Sequence, residues 1–74
     1  MKRYRNLDGQ SGVLAYELGK GWIHTRFVGG ETYEYTDAVT GGENVRNLQV
    51  LAQAGQGLST YVSKFVHDTY ARKL

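Results

Sequence analysis

Cysteine is absent from this chain of 74 residues. No disulfide bond and no thiolate zinc site can therefore form, and nothing in the composition indicates an oxidising compartment. No apolar run approaches the roughly 18 residues that a membrane-spanning helix needs, and the N-terminal residues lack the apolar stretch of a secretory signal. We therefore predict a cytoplasmic protein with no membrane contact, whose core is stabilised by packing alone.

Clusters of chemically reactive side chains are also scarce. The two histidines, His24 and His67, lie far apart and show no HExxH spacing, so the sequence predicts no metal site. His67 and Asp68 are adjacent on a predicted helix, where neighbouring side chains diverge and cannot orient one another for catalysis. We therefore predict no catalytic residue, no cofactor, no metal and no enzymatic activity.

The glycine-rich segment AGQGLST, residues 54–60, has two interpretations. Glycines ahead of a helix start expose backbone amides that can bind an anion, and Lys64 would add a positive charge one turn later. The segment follows a helix rather than a strand, however, and it lacks the Walker pattern. A helix stop followed by a new helix start is therefore the favoured interpretation.

Charge is small in total but uneven along the chain. The net charge is +2, and residues 6–63 are mildly acidic, whereas both ends are basic. Residues 1–9 form a basic N-terminal lead, and residues 10–74 are long enough for one domain with a single core. Basic ends can contact phosphates, but short basic termini more often act as solubilising tails. The basic residues of the two ends are Lys2, Arg3, Arg5, Lys64, Arg72 and Lys73.

Alternating apolar and polar residues predict three strands in the first half of the chain. The strands lie in SGVLAYEL, WIHTRFV and TYEYT, and glycine-bearing turns separate them. In the first strand, Leu14, Tyr16 and Leu18 are expected on one face. The pattern is typical of an antiparallel meander.

The second turn leaves two registers open, and the register decides where the tyrosines point. A two-residue loop would set Tyr33 opposite Arg26, whereas a three-residue loop ending at Glu31 would set Tyr33 opposite Phe27. We favour the second, in which both tyrosines of this strand belong to the core, with their hydroxyls bonded, rather than to a base-stacking surface. It collects Ile23, Phe27, Tyr33 and Tyr35 on one face and leaves His24, Arg26, Thr32 and Glu34 on the other.

The second half of the chain changes to helical periodicity. Thr40 and Glu43 match a capping box, apolar residues recur at helical spacing from Val45 to Ala52, and Gly55 is a natural stop. A second helix is expected to begin near Ser59 or Thr60, with an apolar stripe formed by Tyr61, Val62, Phe65, Val66 and Tyr70. The predicted fold is therefore α+β, a three-stranded antiparallel β-meander followed by two α-helices packed on one face.

Aromatic and glycine residues recur along the chain in a characteristic order. The residues concerned are Tyr16, Ile23, Phe27, Gly30, Tyr33, Tyr35, Val39, Gly57, Val66 and Tyr70. Their order, above all the Tyr-x-Tyr pair after a glycine-bearing turn, resembles the KTSC domain family. This family forms a C-terminal extension of some lysyl-tRNA synthetases and also occurs as a stand-alone bacterial or phage protein. Thr40 and Gly55 stand where the family usually has proline and serine.

The resemblance covers about residues 10–74 and implies one KTSC-like domain after the basic lead. The family's attachment to a synthetase implies binding of RNA or tRNA, although no activity of the family is established. The structural signature that the resemblance implies consists of Phe27, Gly30, Tyr33, Tyr35, Gly57 and Tyr70.

Two functions follow as predictions. The first is a non-enzymatic nucleic-acid-binding module with RNA as its ligand, in which the basic ends contact phosphates and exposed sheet residues contact bases. The alternative is a protein-interaction or scaffold module, a monomer or weak homodimer, that uses the open sheet face or an exposed sheet edge. The predicted nucleic-acid-binding residues are Lys2, Arg3, Arg5, His24, Arg26, Lys64, Arg72 and Lys73.

Overall fold

Alternation in the first half of the chain produces an antiparallel sheet, and the helices of the second half cover one of its faces. The computed structural model describes all 74 residues. The strands are β1 (Lys2–Arg3), β2 (Val13–Gly19), β3 (Trp22–Phe27), β4 (Thr32–Thr36) and β5 (Arg72–Lys73). The helices are α1 (Asp37–Thr40), α2 (Gly42–Ala54) and α3 (Leu58–Tyr61), and α3 continues into a π-helical turn (Val62–Val66).

The α+β class and the central meander are confirmed, but the element count differs from the prediction. β2, β3 and β4 are the three predicted strands, and β1 and β5 extend the sheet to five strands in the order of the chain. Both added strands come from the basic ends, so these ends are sheet edges rather than tails. Two-residue strands carry no periodicity, which explains why the pattern did not reveal them.

A β-bulge changes the faces at the start of β2. Val13 pairs with Phe27 and Ala15 pairs with Arg26, so Leu14 is an extra residue in this strand. Val13 is therefore buried, with 2 % of its surface exposed, whereas 46 % of Leu14 is exposed. The prediction that Leu14 faces the core is wrong for this reason.

The β3–β4 hairpin has a three-residue loop that begins one residue earlier than predicted. Thr25 pairs with Tyr33, so the predicted pairing of Tyr33 with Phe27 is wrong. Gly30 occupies the third loop position with φ 90°, a conformation that a side chain disfavours. The observed register differs from the predicted one by two residues, because Tyr33 pairs with Thr25 instead of Phe27. A shift of two residues leaves each side chain on its original face, so the predicted division of residues between the two faces is retained.

The start of α2 is not capped as predicted. The Thr40 hydroxyl donates to the Thr69 carbonyl at 2.6 Å and leaves the helix start uncapped, and Gly41 is the N-cap residue. The predicted stop is confirmed, because Gly55 has φ 78° and its N–H donates to the Leu51 carbonyl at 3.0 Å.

The predicted second helix corresponds to α3 and the π-helical turn, and it ends earlier than predicted. Hydrogen bonds from residue i to i+5 widen its last turn, and Val62 and Val66 face the core. Phe65 is turned outward with 61 % of its surface exposed, and Tyr70 lies beyond the helix. The predicted stripe is therefore right for the valines and wrong for these two aromatic residues.

The core lies between the covered face of the sheet and the helices. Tyr4, from the basic lead, belongs to it, and its hydroxyl accepts a hydrogen bond from the Leu58 N–H at 3.3 Å. None of the helices is both long and apolar enough to cross a membrane. The core residues are Tyr4, Val13, Tyr16, Ile23, Tyr35, Val45, Leu48, Ala52, Leu58, Val62 and Val66.

Candidate nucleic-acid interface

The second face of the sheet has no helix over it, and we call it the open face. Paired residues of antiparallel strands project to the same side, so the strand register arranges this face in transverse rows. The first row contains Arg3, Ala15, Arg26 and Thr32; the second contains Glu17, His24, Glu34 and Arg72; the third contains Gly19, Trp22 and Thr36.

The first row is cationic and contains no carboxylate. Arg3 and Arg26 are both exposed, neither is engaged in an ion pair, and the small side chain of Ala15 lies between them. Neighbouring strands are about 4.8 Å apart, which places the two arginine backbones about 10 Å from each other. Both guanidinium groups are therefore available to an anionic partner.

The second row is built around the carboxylate of Glu34. His24 Nε2 lies 2.7 Å from Glu34 Oε2, and Arg72 Nε donates to Glu34 Oε1 at 2.9 Å. The hydrogen bond from His24, and then that from Arg72, holds the pKa of Glu34 below its usual value. Arg72 nevertheless keeps 65 % of its side chain exposed. Glu17, which pairs with His24 across the strands, remains an exposed carboxylate.

The third row carries the only tryptophan of the chain. The indole of Trp22 lies across Gly19, where an added Cβ would come within 2.0 Å of the ring atom Cε2. The ring is half-buried, and its centroid lies 4.4 Å from that of His24 at an interplanar angle of 42°. The Gln49 amide donates to the carbonyls of Gly19 and Trp22, both at 2.9 Å, and so ties this hairpin to α2.

The structure brings half of the predicted nucleic-acid-binding residues together. Arg3, His24, Arg26 and Arg72 share the open face, although His24 is engaged with the Glu34 carboxylate. The two basic ends form opposite edges of the sheet, about 19 Å apart across four strand spacings. They therefore frame the open face instead of forming one patch.

The other predicted basic residues lie elsewhere. Lys2 and Arg5 line a groove between the β1 edge and α2, and Arg5 Nη2 donates to the Gln53 carbonyl at 2.5 Å. Lys73 Nζ lies 3.1 Å from a Glu31 oxygen. Lys64 is exposed on the π-helical turn, which packs on the covered side. Arg5 therefore has a structural role, because its bond to the Gln53 carbonyl places a cation near the last carbonyls of α2, which stabilises a helix.

Five of the six residues of the predicted structural signature meet at the β3–β4 hairpin; the sixth, Gly57, lies at the start of α3. The ring centroids of Phe27 and Tyr33 are 5.6 Å apart, and those of Tyr33 and Tyr70 are 4.7 Å apart. Tyr35 is fully buried, and the Tyr33 hydroxyl donates to Glu31 at 2.7 Å. Both tyrosines contact the core, as predicted, but only the Tyr33 hydroxyl is hydrogen-bonded, whereas both hydroxyls were expected to be.

The glycine-rich segment forms a helix boundary. Gly57 has φ 80° and is the N-cap residue of α3, as the favoured interpretation expects. A small polar cleft borders it, and the carboxylate-bearing Asp8 lines that cleft together with Ser59 and Thr60. A carboxylate beside these amides disfavours a bound anion.

Trp22 was not among the predicted binding residues. The information was nevertheless present in the sequence, because Trp22, His24 and Arg26 alternate along one strand and therefore share a face. Burial of Ile23 and Thr25 confirms that alternation.

Comparison with known proteins identifies no relative of this chain. No family model, curated protein or solved structure matches the chain.

Proposed function

We propose that this protein is a small non-enzymatic module that binds nucleic acid, with RNA as its ligand, through the open face. The observation that carries the proposal is the placement of Arg3, Arg26 and Arg72 across a sheet face that no helix covers. Arginine is well suited to phosphate because its planar guanidinium offers paired donors. The resemblance to the KTSC family supports RNA as the ligand class.

The charge of the open face favours weak and salt-dependent binding. Glu34 is compensated by His24 and Arg72, which leaves Glu17 as the carboxylate without an ion-pair partner. Three phosphate contacts with a single strand correspond to a slope of about −2 for the logarithm of affinity against the logarithm of salt concentration. The width of about 19 Å matches about five stacked nucleotides.

An amide-resonance titration with a short oligouridylate at low salt tests the proposal. We expect shifts at the open-face strands, and we expect Arg26→Gln to weaken binding severalfold and to reduce the salt slope by about 0.7. Lys64→Gln is the matched control, because it removes the same charge from the covered side and is expected to change the affinity little.

Two results would count against the proposal. Absence of any resonance shift with RNA or single-stranded DNA at low salt would overturn nucleic-acid binding. If Arg26→Gln and Lys64→Gln weaken the affinity for RNA equally, the effect is due to net charge, and the open face is excluded as the site.

For the alternative function, a protein-interaction module, the edges of the sheet are less suited to binding a partner than the open face is. β1 and β5 are only two residues long, and each consists of one lysine and one arginine. Short, charged edge strands resist pairing with another chain. A protein partner would therefore have to dock on the open face, where the exposed arginines favour an anionic surface.

A further inference from the structure

We propose that Trp22 is a base-stacking site that makes the open face select single-stranded over duplex nucleic acid. This inference rests on the proposed function and adds the form of ligand that the open face accepts. Tryptophan is the largest aromatic surface in the chain, and one base stacked on an aromatic side chain contributes substantially to affinity, whatever the base.

The Trp22 ring is held in place before any ligand arrives. Its inner side lies on Gly19, where no side chain separates ring from backbone, and His24 contacts it from the next row. Gln49 fixes the backbone of the same hairpin from α2. The ring is half-buried, so part of its surface remains accessible to a ligand. A preorganised ring loses little conformational entropy when a base stacks on it.

Carboxylates restrict the path of a bound strand on the open face. The first row offers Arg3 and Arg26 without an acid, whereas Glu17 and Glu34 flank His24 in the second row. Phosphates are therefore attracted more strongly to the first row than to the second, where Arg72 is paired with Glu34 and Glu17 has no cationic partner. This charge pattern places the sugar–phosphate backbone over Arg3 and Arg26 and directs bases along β3 towards the third row.

The distance along β3 suits that arrangement. Arg26 and Trp22 are four residues apart in one strand, which corresponds to about 13 Å between their Cα atoms. An extended arginine and the length of a nucleotide together cover that span. Within a duplex the bases are paired and stacked on each other, so only the terminal base pairs have a face that can meet the indole. The stacking contact therefore favours single strands.

The single tryptophan supplies its own reporter. Titration of the native protein with a short oligouridylate is expected to change the intrinsic fluorescence of Trp22, whereas an RNA duplex of similar charge is expected to change it little. Anisotropy of labelled RNA should show that Trp22→Leu loses about fivefold or more in affinity for the single strand. The loss for the duplex should stay below about twofold, since phosphate contacts are retained.

Two further variants separate stacking from structural damage. Phe65→Leu removes an exposed aromatic ring from the π-helical turn on the covered side and is expected to leave single-strand affinity unchanged. Trp22→Phe keeps an aromatic plane and should recover much of the preference for single strands. Thermal unfolding of each variant verifies that the fold is intact.

The outcomes distinguish this inference from the proposed function. Binding of the oligouridylate without a change in fluorescence, or equal losses for single strand and duplex in Trp22→Leu, would overturn base stacking and leave the proposed function standing. Binding of neither ligand by the native protein would overturn both.

Discussion

At the scale of single residues, Thr25 is the clearest local defect. Its side chain is fully buried on the covered face of β3, between Tyr16 and Tyr33 of the neighbouring strands. Its hydroxyl has no hydrogen-bond partner. A buried hydroxyl without a partner costs about 1–3 kcal/mol relative to one that is hydrogen-bonded.

Thr25→Val should therefore stabilise the protein by about 1 kcal/mol, because it replaces the hydroxyl with a methyl group of similar size. Urea unfolding measures the change directly. Thr25→Ser is the matched control, since it keeps the unpaired hydroxyl, removes a methyl group and should destabilise by about 1 kcal/mol. A valine variant less stable than the native protein would show that the hydroxyl is satisfied in solution.

At the scale of elements, the basic lead connects the sheet to the helix ends. The Tyr4 N–H donates to the Leu14 carbonyl at 2.9 Å, and the Leu7 N–H donates to the Gly55 carbonyl at 2.7 Å. The Tyr4 ring is 3 % exposed and reaches the start of α3 through its bond with Leu58. One short segment thus contacts the sheet, the end of α2 and the beginning of α3.

Tyr4→Ala should destabilise the protein by about 3 kcal/mol, because it removes a buried aromatic ring and leaves a cavity. Tyr4→Phe removes only the acceptor for the Leu58 N–H and should cost about 1 kcal/mol. Both values come from urea unfolding. The neighbouring exposed Lys2→Ala serves as control and should stay within about 0.5 kcal/mol. An alanine variant as stable as the control would mean that the lead is detached in solution.

The elements that could be predicted from the sequence are those with enough residues to show a period. β2, β3, β4 and α2 were predicted for that reason, and Gly55 marked the end of α2 correctly. The bulge at Leu14 and the π-helical turn depend on contacts between distant segments, and β1 and β5 are too short to show alternation. What the sequence pattern does not contain is therefore which distant segments pair or pack with each other.

In the candidate site, too, the residues on a periodic strand could be predicted, whereas those placed by tertiary pairing could not. Alternation along β3 placed His24 and Arg26 together on the open face, and it also carried Trp22. Which terminal cation joins them depends on edge pairing, since Arg3 reaches the open face and its neighbour Lys2 does not. Sequence could therefore predict the strand that centres the site but not its borders.

At the scale of the whole molecule, ionisable groups limit stability on both sides of neutral pH. Hydrogen bonds from His24 and Arg72 lower the pKa of Glu34, so its contribution is present above the usual value of 4.5 and is lost as pH falls through the lowered value. The pKa of Glu31 is also lowered, chiefly by the hydrogen bond from Tyr33. These carboxylates link β3, β4 and β5 through their partners, so acid weakens one side of the sheet.

The opposite limit is set by Tyr35 at the centre of the core. Burial raises its pKa from 10.0 to about 12, which means that the folded protein disfavours the phenolate. Below about pH 10 the phenol is neutral in both the folded and the unfolded chain, so its ionisation does not affect the free energy of unfolding. Above about pH 10 the phenol ionises first in the unfolded chain, so the free energy of unfolding should fall. We expect a loss of about 2 kcal/mol between about pH 10 and pH 12, measured by urea unfolding at fixed ionic strength. Tyr35→Phe lacks the ionisable group and should show a correspondingly smaller alkaline decline, whereas a decline as steep as that of the native protein would exclude Tyr35 as its source.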